Sequence, residues 1–227
     1  MAIASDSIRR ARPLLGTFVE IEVAGAAKSD TIAAIDAAFD AISLVHRLMS
    51  FHDPESDVSR LNREAGVRPT RVHAWTFQVL EAAIEMHRRS SGVFDVAVAP
   101  ALQAMGLLPS PNGDPTILPE PFFADAIELG PEQTIRFRSP RVTIDLGGIA
   151  KGFAVDRAVD VLRGDGLSSG LVNAGGDLRA FGQERHTVHV RDPRDPCRSI
   201  CHIEVADEAL ASTARRFDLV GGGEPRS

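Results

Sequence analysis

Cysteine is scarce in this chain of 227 residues: there are two, Cys197 and Cys201. On a strand they would share a face roughly 13 Å apart, at about 3.3 Å per residue. That is too far for a disulfide, and two thiols are too few for a zinc site. They read as small buried or half-buried thiols, which suits a reducing compartment. No apolar run is long enough to cross a bilayer, so stable membrane insertion is not expected. The N-terminal stretch Met1 to Pro13 has neither the apolar segment of a secretory signal nor a cysteine to carry a lipid. The expected compartment is the cytoplasm. Positive charge is also short: 25 Lys and Arg stand against 31 Asp and Glu, a formal net charge of −6. Nucleic-acid binders normally carry a basic patch, so no nucleic-acid partner is expected. Arg9-Arg10-Ala11-Arg12 and Arg88-Arg89 read as solvated surface. Repeats of solenoid period and heptads are both absent.

With 44% hydrophobic residues the chain can bury a substantial core. Its length allows one large domain or two small ones. The stretch that organises it runs from Val142 to Gly182. A short apolar strand (Val142, Ile144) delivers Asp145, then Gly147, Gly148, Lys151 and Gly152. A helix pattern follows, with Ala154, Val155, Ala158, Val159 and Leu162 on its apolar stripe. Gly164 and Gly166 end it. A second strand, Leu171-Val172, runs into Asn173, Gly175, Gly176 and Asp177. Glycines let a backbone approach a ligand closely, and a helix start favours anions, phosphate above all. Lys151 adds a cation there, and Asp145 and Asp177 can hold a metal or a ribose. The same glycines also serve as ordinary turn residues. The stretch is neither a dinucleotide fingerprint nor a P-loop: G-x-G-x-x-G is absent, and no Ser or Thr follows Lys151.

Elsewhere the patterns are plainer. Thr17, Val19, Ile21 and Val23 alternate with Phe18, Glu20 and Glu22 in a half-buried strand ended by Gly25. Ser29 or Asp30 can cap a helix to Met49, with Ile32, Ile35, Phe39, Ile42, Val45 and Met49 at core spacing. Ser50 to Asp57 is a polar turn segment leading into a short helix ending near Asn62. A second long helix spans 75–91, with Val79, Leu80, Ala83, Ile84 and Met86 facing the core and Gly92 as its C-terminal glycine. Phe94 to Val98 reads as a strand stopped by Pro100. Residues 106–121 hold five prolines and read as an irregular surface excursion. Ile135–Phe137 and Val142–Ile144 read as a hairpin around Ser139-Pro140. Thr187–Val190 and Ile200–Val205 read as late strands.

Four ordered blocks carry a resemblance. They are Leu15-Gly16-Thr17-Phe18-Val19-Glu20-Ile21; Met49 to Asn62 (MSFHDPESDVSRLN); Gly92 to Pro100 (GVFDVAVAP); and DLGGIAKGFAVD followed by NAGGDLRAFG. Together they resemble the ApbE family, the FAD:protein FMN transferases, many of whose members are exported lipoproteins. The resemblance implies one α+β, ApbE-like (T-fold-like) domain over residues 1–227. Its sheets would be mainly antiparallel with packed helices, as two α/β halves around a flavin crevice. The implied activity is a magnesium-dependent transfer of FMN from FAD to a Ser or Thr hydroxyl of a target protein. A non-catalytic FAD-binding protein of the same fold is the alternative. An unrelated nucleotide-binding oxidoreductase is disfavoured by the missing dinucleotide fingerprint.

The implied flavin contacts are Leu15, His52, Val93, Phe94, Asp95, Gly148, Lys151, Asp156, Gly175 and Gly176. His52 stands where the family often has an aromatic residue. The implied Mg²⁺ ligand is the Ala150 main-chain carbonyl. The family's later Asp and Thr ligands, and the H-x-x-D-P-x-T-G motif whose His is thought to act in catalysis, do not occur among these residues. Ala209 to Phe217 resembles the segment that precedes them. The resemblance therefore implies a family domain without its C-terminal part, impaired in transfer.

Overall fold

A computed structural model describes residues 7–25, 28–109, 124–192 and 194–212. The prolines between 110 and 121, and residues 213–217 of the C-terminal segment, lie outside the described residues. The chain forms two compact units: residues 1–36 with 159–227, and residues 37–158. All strand pairings among the described residues are antiparallel, and with five helices the architecture is α+β.

The first unit is built on a five-stranded sheet. β1 (Ser7–Leu14) and β2 (Thr17–Ala24) form a hairpin. β6 (Gly170–Ala174) and β7 (Asp177–Phe181) form a second, and β10 (Ala209–Ala211) is added at the edge. The order is β1-β2-β6-β7-β10. β2 alternates as its sequence requires: Val19, Ile21 and Val23 are fully buried, and Phe18 is exposed. A ribbon of β8 (His186–Asp192) and β9 (Asp195–Val205) completes the strands of this unit. Arg9 pairs with Glu20, and Arg12 with Asp36, so the N-terminal arginines are surface ion pairs. Cys197 and Cys201 are both exposed, contrary to the buried or half-buried reading. The ribbon is open to solvent along β9, so small apolar side chains there gain no burial.

The second unit holds most of the helices. α1 (Ser29–Met49) enters it from residue 37 onward, and α5 (Ala150–Gly164) leaves it after residue 158. α1 starts at Ser29 itself, so Ser29 and Asp30 lie inside its first turn rather than capping it. α2 is Asp57–Glu64, capped by Ser56, whose Oγ accepts from the Ser59 amide. α3 is Ala74–Arg89, capped by His73, whose ring accepts from the Trp75 amide. Val79, Leu80, Ala83 and Ile84 are buried as expected. Met86 is 48% exposed, and His87 takes the buried place next to it. The C-terminus of α3 closes with paired bonds, Gly92 N–H to His87 O and Ser91 N–H to Arg88 O. Gly92, at φ 83°, ends the helix as the sequence assigns, and Ser91 before it is also left-handed, at φ 54°.

Two expected strands do not form. Residues 94–98 turn, and Pro100 lies in the first turn of α4 (Ala99–Ala104) instead of ending a strand. Residues 142–146 join no sheet. β5 (Thr134–Phe137) pairs with β3 (Thr70–Arg71) and β4 (Ile127–Leu129), not with 142–144. In both places side chains bind some of the backbone groups that a ladder would have used, and a single backbone bond, Asp145 N–H to Val96 O, joins the two segments. No helix among the described residues is long and apolar enough to cross a membrane.

Candidate functional site

The glycine turn before α5 is held from three sides. Ile144, fully buried, receives both bonds of one amide: its N–H donates to Asn62 Oδ1 (2.8 Å), and Asn62 Nδ2 donates to its carbonyl (3.0 Å). The Asp145 N–H donates to Val96 O (2.9 Å). Gly147 N–H donates to Asp145 Oδ2 (3.1 Å). Ile149 and Ala150 amides donate to Leu146 O, closing the turn into the helix. Gly147 and Gly148 are exposed, and Lys151 stands half-buried in the first helical turn. A Cβ on Gly148 would lie 3.5 Å from the Phe94 ring, an ordinary contact, and its φ is not left-handed. Packing does not require glycine there.

Asp145 sits among low-polarity surroundings. Burial pushes its carboxyl above the usual range, while the Gly147 N–H and the charge of His52 pull it back. His52 is exposed on the 50–56 loop. Ser50 Oγ accepts from the His52 and Asp53 amides, and Ser56 Oγ donates to Ser50 O (2.6 Å). The polar segment is therefore an ordered loop.

The 93–97 segment is clamped beside the turn. Ser90 Oγ accepts from Phe94 N–H (2.9 Å), and His87 Nδ1 meets Phe94 O at 3.0 Å. Since Nδ1 also lies 3.1 Å from Asp95 Oδ2, it carries the proton. Asp95 further accepts from the Ala97 and Ala124 amides (2.7 and 3.2 Å). Its carboxylate is turned inward and holds the loop. Val93 is 90% exposed, and Phe94 is half-buried with its ring toward Gly148. Asp156 lies further along α5. At about 100° per residue it stands some 140° around the helix from Lys151, so the two do not share a face. Ala150 is the first residue of α5, where its carbonyl serves as an acceptor within the helix.

In the first unit, Leu15, Gly175 and Gly176 converge at one end of the sheet. Leu15-Gly16 and Gly175-Gly176 are two-residue hairpin turns with positive φ throughout: 56° and 71°, then 65° and 102°. The twist of paired strands selects such turns. A Cβ on Gly175 would approach Thr17 Oγ1 to 2.5 Å, and one on Gly176 would approach Ser212 Oγ to 2.6 Å. Asn173 Oδ1 accepts from Gly176 N–H, and Ser212 N–H donates to Gly176 O (both 3.0 Å). Both glycines are therefore required by the turn and its neighbours.

The structure thus groups His52, Val93, Phe94, Asp95, Gly148 and Lys151 within one unit, and Leu15, Gly175 and Gly176 within the other. Asn62, Ser90 and His87 complete the first group without any role read from the sequence. An Asn inside a helix, where it is a poor helix former, was the available signal for Asn62. Among the described residues no three His, Cys, Asp or Glu side chains converge on a possible metal position.

Comparison with known proteins gives a consistent picture. The model of the ApbE family matches residues 15–222. An FAD:protein FMN transferase of Vibrio cholerae is 28% identical over 224 residues, 92% of this chain and 66% of the relative. The chain spans 51% and 43% of two other curated relatives of that name. Among solved structures, the flavin transferase ApbE from Vibrio cholerae matches with a TM-score of 0.77 at 24% identity, over 96% of this chain and 74% of that one. The ApbE protein from Thermotoga maritima matches with a TM-score of 0.78 at 25% identity, over 91% and 70%.

Proposed function

The chain belongs to the ApbE family, and on that premise we propose that it binds FAD and serves the transfer of FMN from FAD to a protein hydroxyl. In that reaction a Ser or Thr oxygen bonds to the FMN phosphorus. The pyrophosphate bond to the AMP half breaks, AMP departs with the bridging oxygen, and the hydroxyl proton passes to a base. The observation that carries the reading is the family match running through every site segment described above. The geometry supports it with an exposed Gly147-Gly148 turn and Lys151 at the start of a 15-residue helix. A helix N-terminus and a lysine both favour phosphate.

The flavin contacts follow the same reading. Gly148 and Lys151 approach the pyrophosphate, and Phe94, Val93 and His52 offer surface to the rings. The resemblance also assigns Leu15, Gly175 and Gly176 to the flavin. Asp95 acts from behind, by holding Phe94. Magnesium, when bound, would neutralise phosphate charge. The only ligand carried over onto the described residues is the Ala150 carbonyl, and no step here is built on the metal.

Titrating the chain into FAD and following flavin fluorescence tests the binding. Saturable binding that Lys151→Ala weakens several-fold supports the reading. No binding at any accessible concentration rejects it. Incubation with FAD, Mg²⁺ and a target protein then separates transfer from binding alone.

A further inference from the structure

Asn62 is one of the groups that hold the glycine turn, and neither the motif nor the proposed chemistry gives it a task. Val142, Ile144 and Leu146 are buried, yet residues 142–146 join no sheet, and their backbone meets Val96 through the Asp145 N–H. Asn62 supplies what a neighbouring strand would have supplied at Ile144, one donor and one acceptor at once. A carboxamide offers both from one side chain, on two separate atoms. Its own position is firm. α2 is capped by Ser56, and the buried Asp57 accepts from His73 N–H (2.8 Å) and Thr76 Oγ1 (2.7 Å), tying α2 to α3. Leu61 beside it is fully buried. A rigid helix therefore fixes Ile144, and the next residue is Asp145.

We propose that Asn62 is a positioning residue: by holding both backbone groups of Ile144 it sets where the Asp145–Gly148 turn and Lys151 meet the phosphates of FAD. The proposal rests on the flavin reading for the ligand, but not for the bond itself. Asn62 touches no reacting atom. It acts through one peptide unit of a segment that has no ladder of its own.

The test uses the whole chain and three variants. Asn62→Asp keeps an acceptor for the Ile144 N–H and places a carboxylate oxygen against the Ile144 carbonyl. Asn62→Gln keeps both groups on a longer arm. Val79→Ala removes buried volume in α3, far from the turn in sequence, as a control for lost stability. Hydrogen exchange at the Ile144 and Asp145 amides is read first, then FAD affinity by fluorescence. Asn62→Asp should speed exchange at both amides at least tenfold and weaken FAD binding about tenfold. Asn62→Gln should recover part of each. Val79→Ala should lower the melting temperature while leaving FAD affinity within twofold. Unchanged exchange in Asn62→Asp overturns the proposal. Faster exchange with unaltered FAD affinity also overturns it, since Asn62 is then a structural staple only. If Asn62→Asp does not fold, the Asn62→Gln pair of measurements decides by the same criteria. Failure of the unaltered chain to bind FAD would reject the flavin reading instead, and exchange alone would then judge the positioning of the turn.

Discussion

Leu15 holds a branched side chain at φ 56°, beside Gly16 at 71°. An L residue in the left-handed region costs about 1–2 kcal/mol, and turns of this kind ordinarily take Asn, Asp or Gly. Leu15→Asn should therefore raise the melting temperature by about 2–4 °C, the effect of roughly 1 kcal/mol in a domain of this size. Under the flavin reading the same change weakens FAD binding. A variant that melts lower would show that Leu15 is retained for packing. Asp145 gives a second residue-level outcome, through pH. Its folded-state carboxyl is raised, with burial as the main cause. Below about pH 4, the ordinary carboxyl value, it is protonated folded or unfolded, and burial carries no charge penalty. As pH rises from there through the raised folded value, the unfolded chain ionises first, and folding loses stability. Asp145→Asn removes that loss and keeps an oxygen for the Gly147 N–H. In ligand-free protein it should melt above the parent at pH 7, and the gap should close as pH approaches 4. A gap that widens toward pH 4 would reverse the assignment.

At the scale of elements, the glycine turns look alike in sequence and differ in physics. Gly148 has ordinary φ and room for a side chain, so Gly148→Val should fold and lose FAD affinity, as titration of a folded variant will show. Gly175 has φ 65° and Thr17 against its α-carbon. Gly175→Ala should cost about 2 kcal/mol or more, from the left-handed penalty together with the displaced Thr17, as read by urea unfolding. Little change there would mean that the hairpin re-forms at no cost. The sequence could not separate these cases, because turn chemistry is written in glycine either way. It did disclose β2, α1 and α5, whose apolar periodicity comes from one buried face. It misled at 94–98 and 142–144 for a related reason. Alternating apolar residues report burial on one side, not who binds the backbone. At Ile144 the partner is Asn62, 82 positions away; at Phe94 it is Ser90 and His87, and at Ala97 the Asp95 carboxylate. Side-chain partners leave no period to detect. Met86 and His87 exchanged places for a local reason: a buried imidazole with two acceptors is as well satisfied as a thioether in the core.

For the whole molecule, the family could be read from four sequence blocks, and their order survives in the fold. What the described residues do not assemble is a set of metal ligands. A magnesium ion needs several oxygen ligands and usually a carboxylate or two. Ala150 offers a carbonyl already used within a helix, and Asp145 has one carboxyl oxygen accepting from the Gly147 N–H. The acceptor hydroxyl must also lose a proton, and the family's H-x-x-D-P-x-T-G motif is not among these 227 residues. Binding and transfer should therefore separate. Taken alone, these residues should bind FAD weakly, respond little to Mg²⁺ and transfer no FMN. A chain extended through that motif and the later Asp and Thr should do all three. The measurement is in-gel flavin fluorescence of a target protein with an acceptor Thr, run for both chains with and without Mg²⁺. Labelling by the 227 residues at a rate near that of the extended chain would place a sufficient base and charge partner within the segments described here. Asp145 and His52 would then be the first residues to replace.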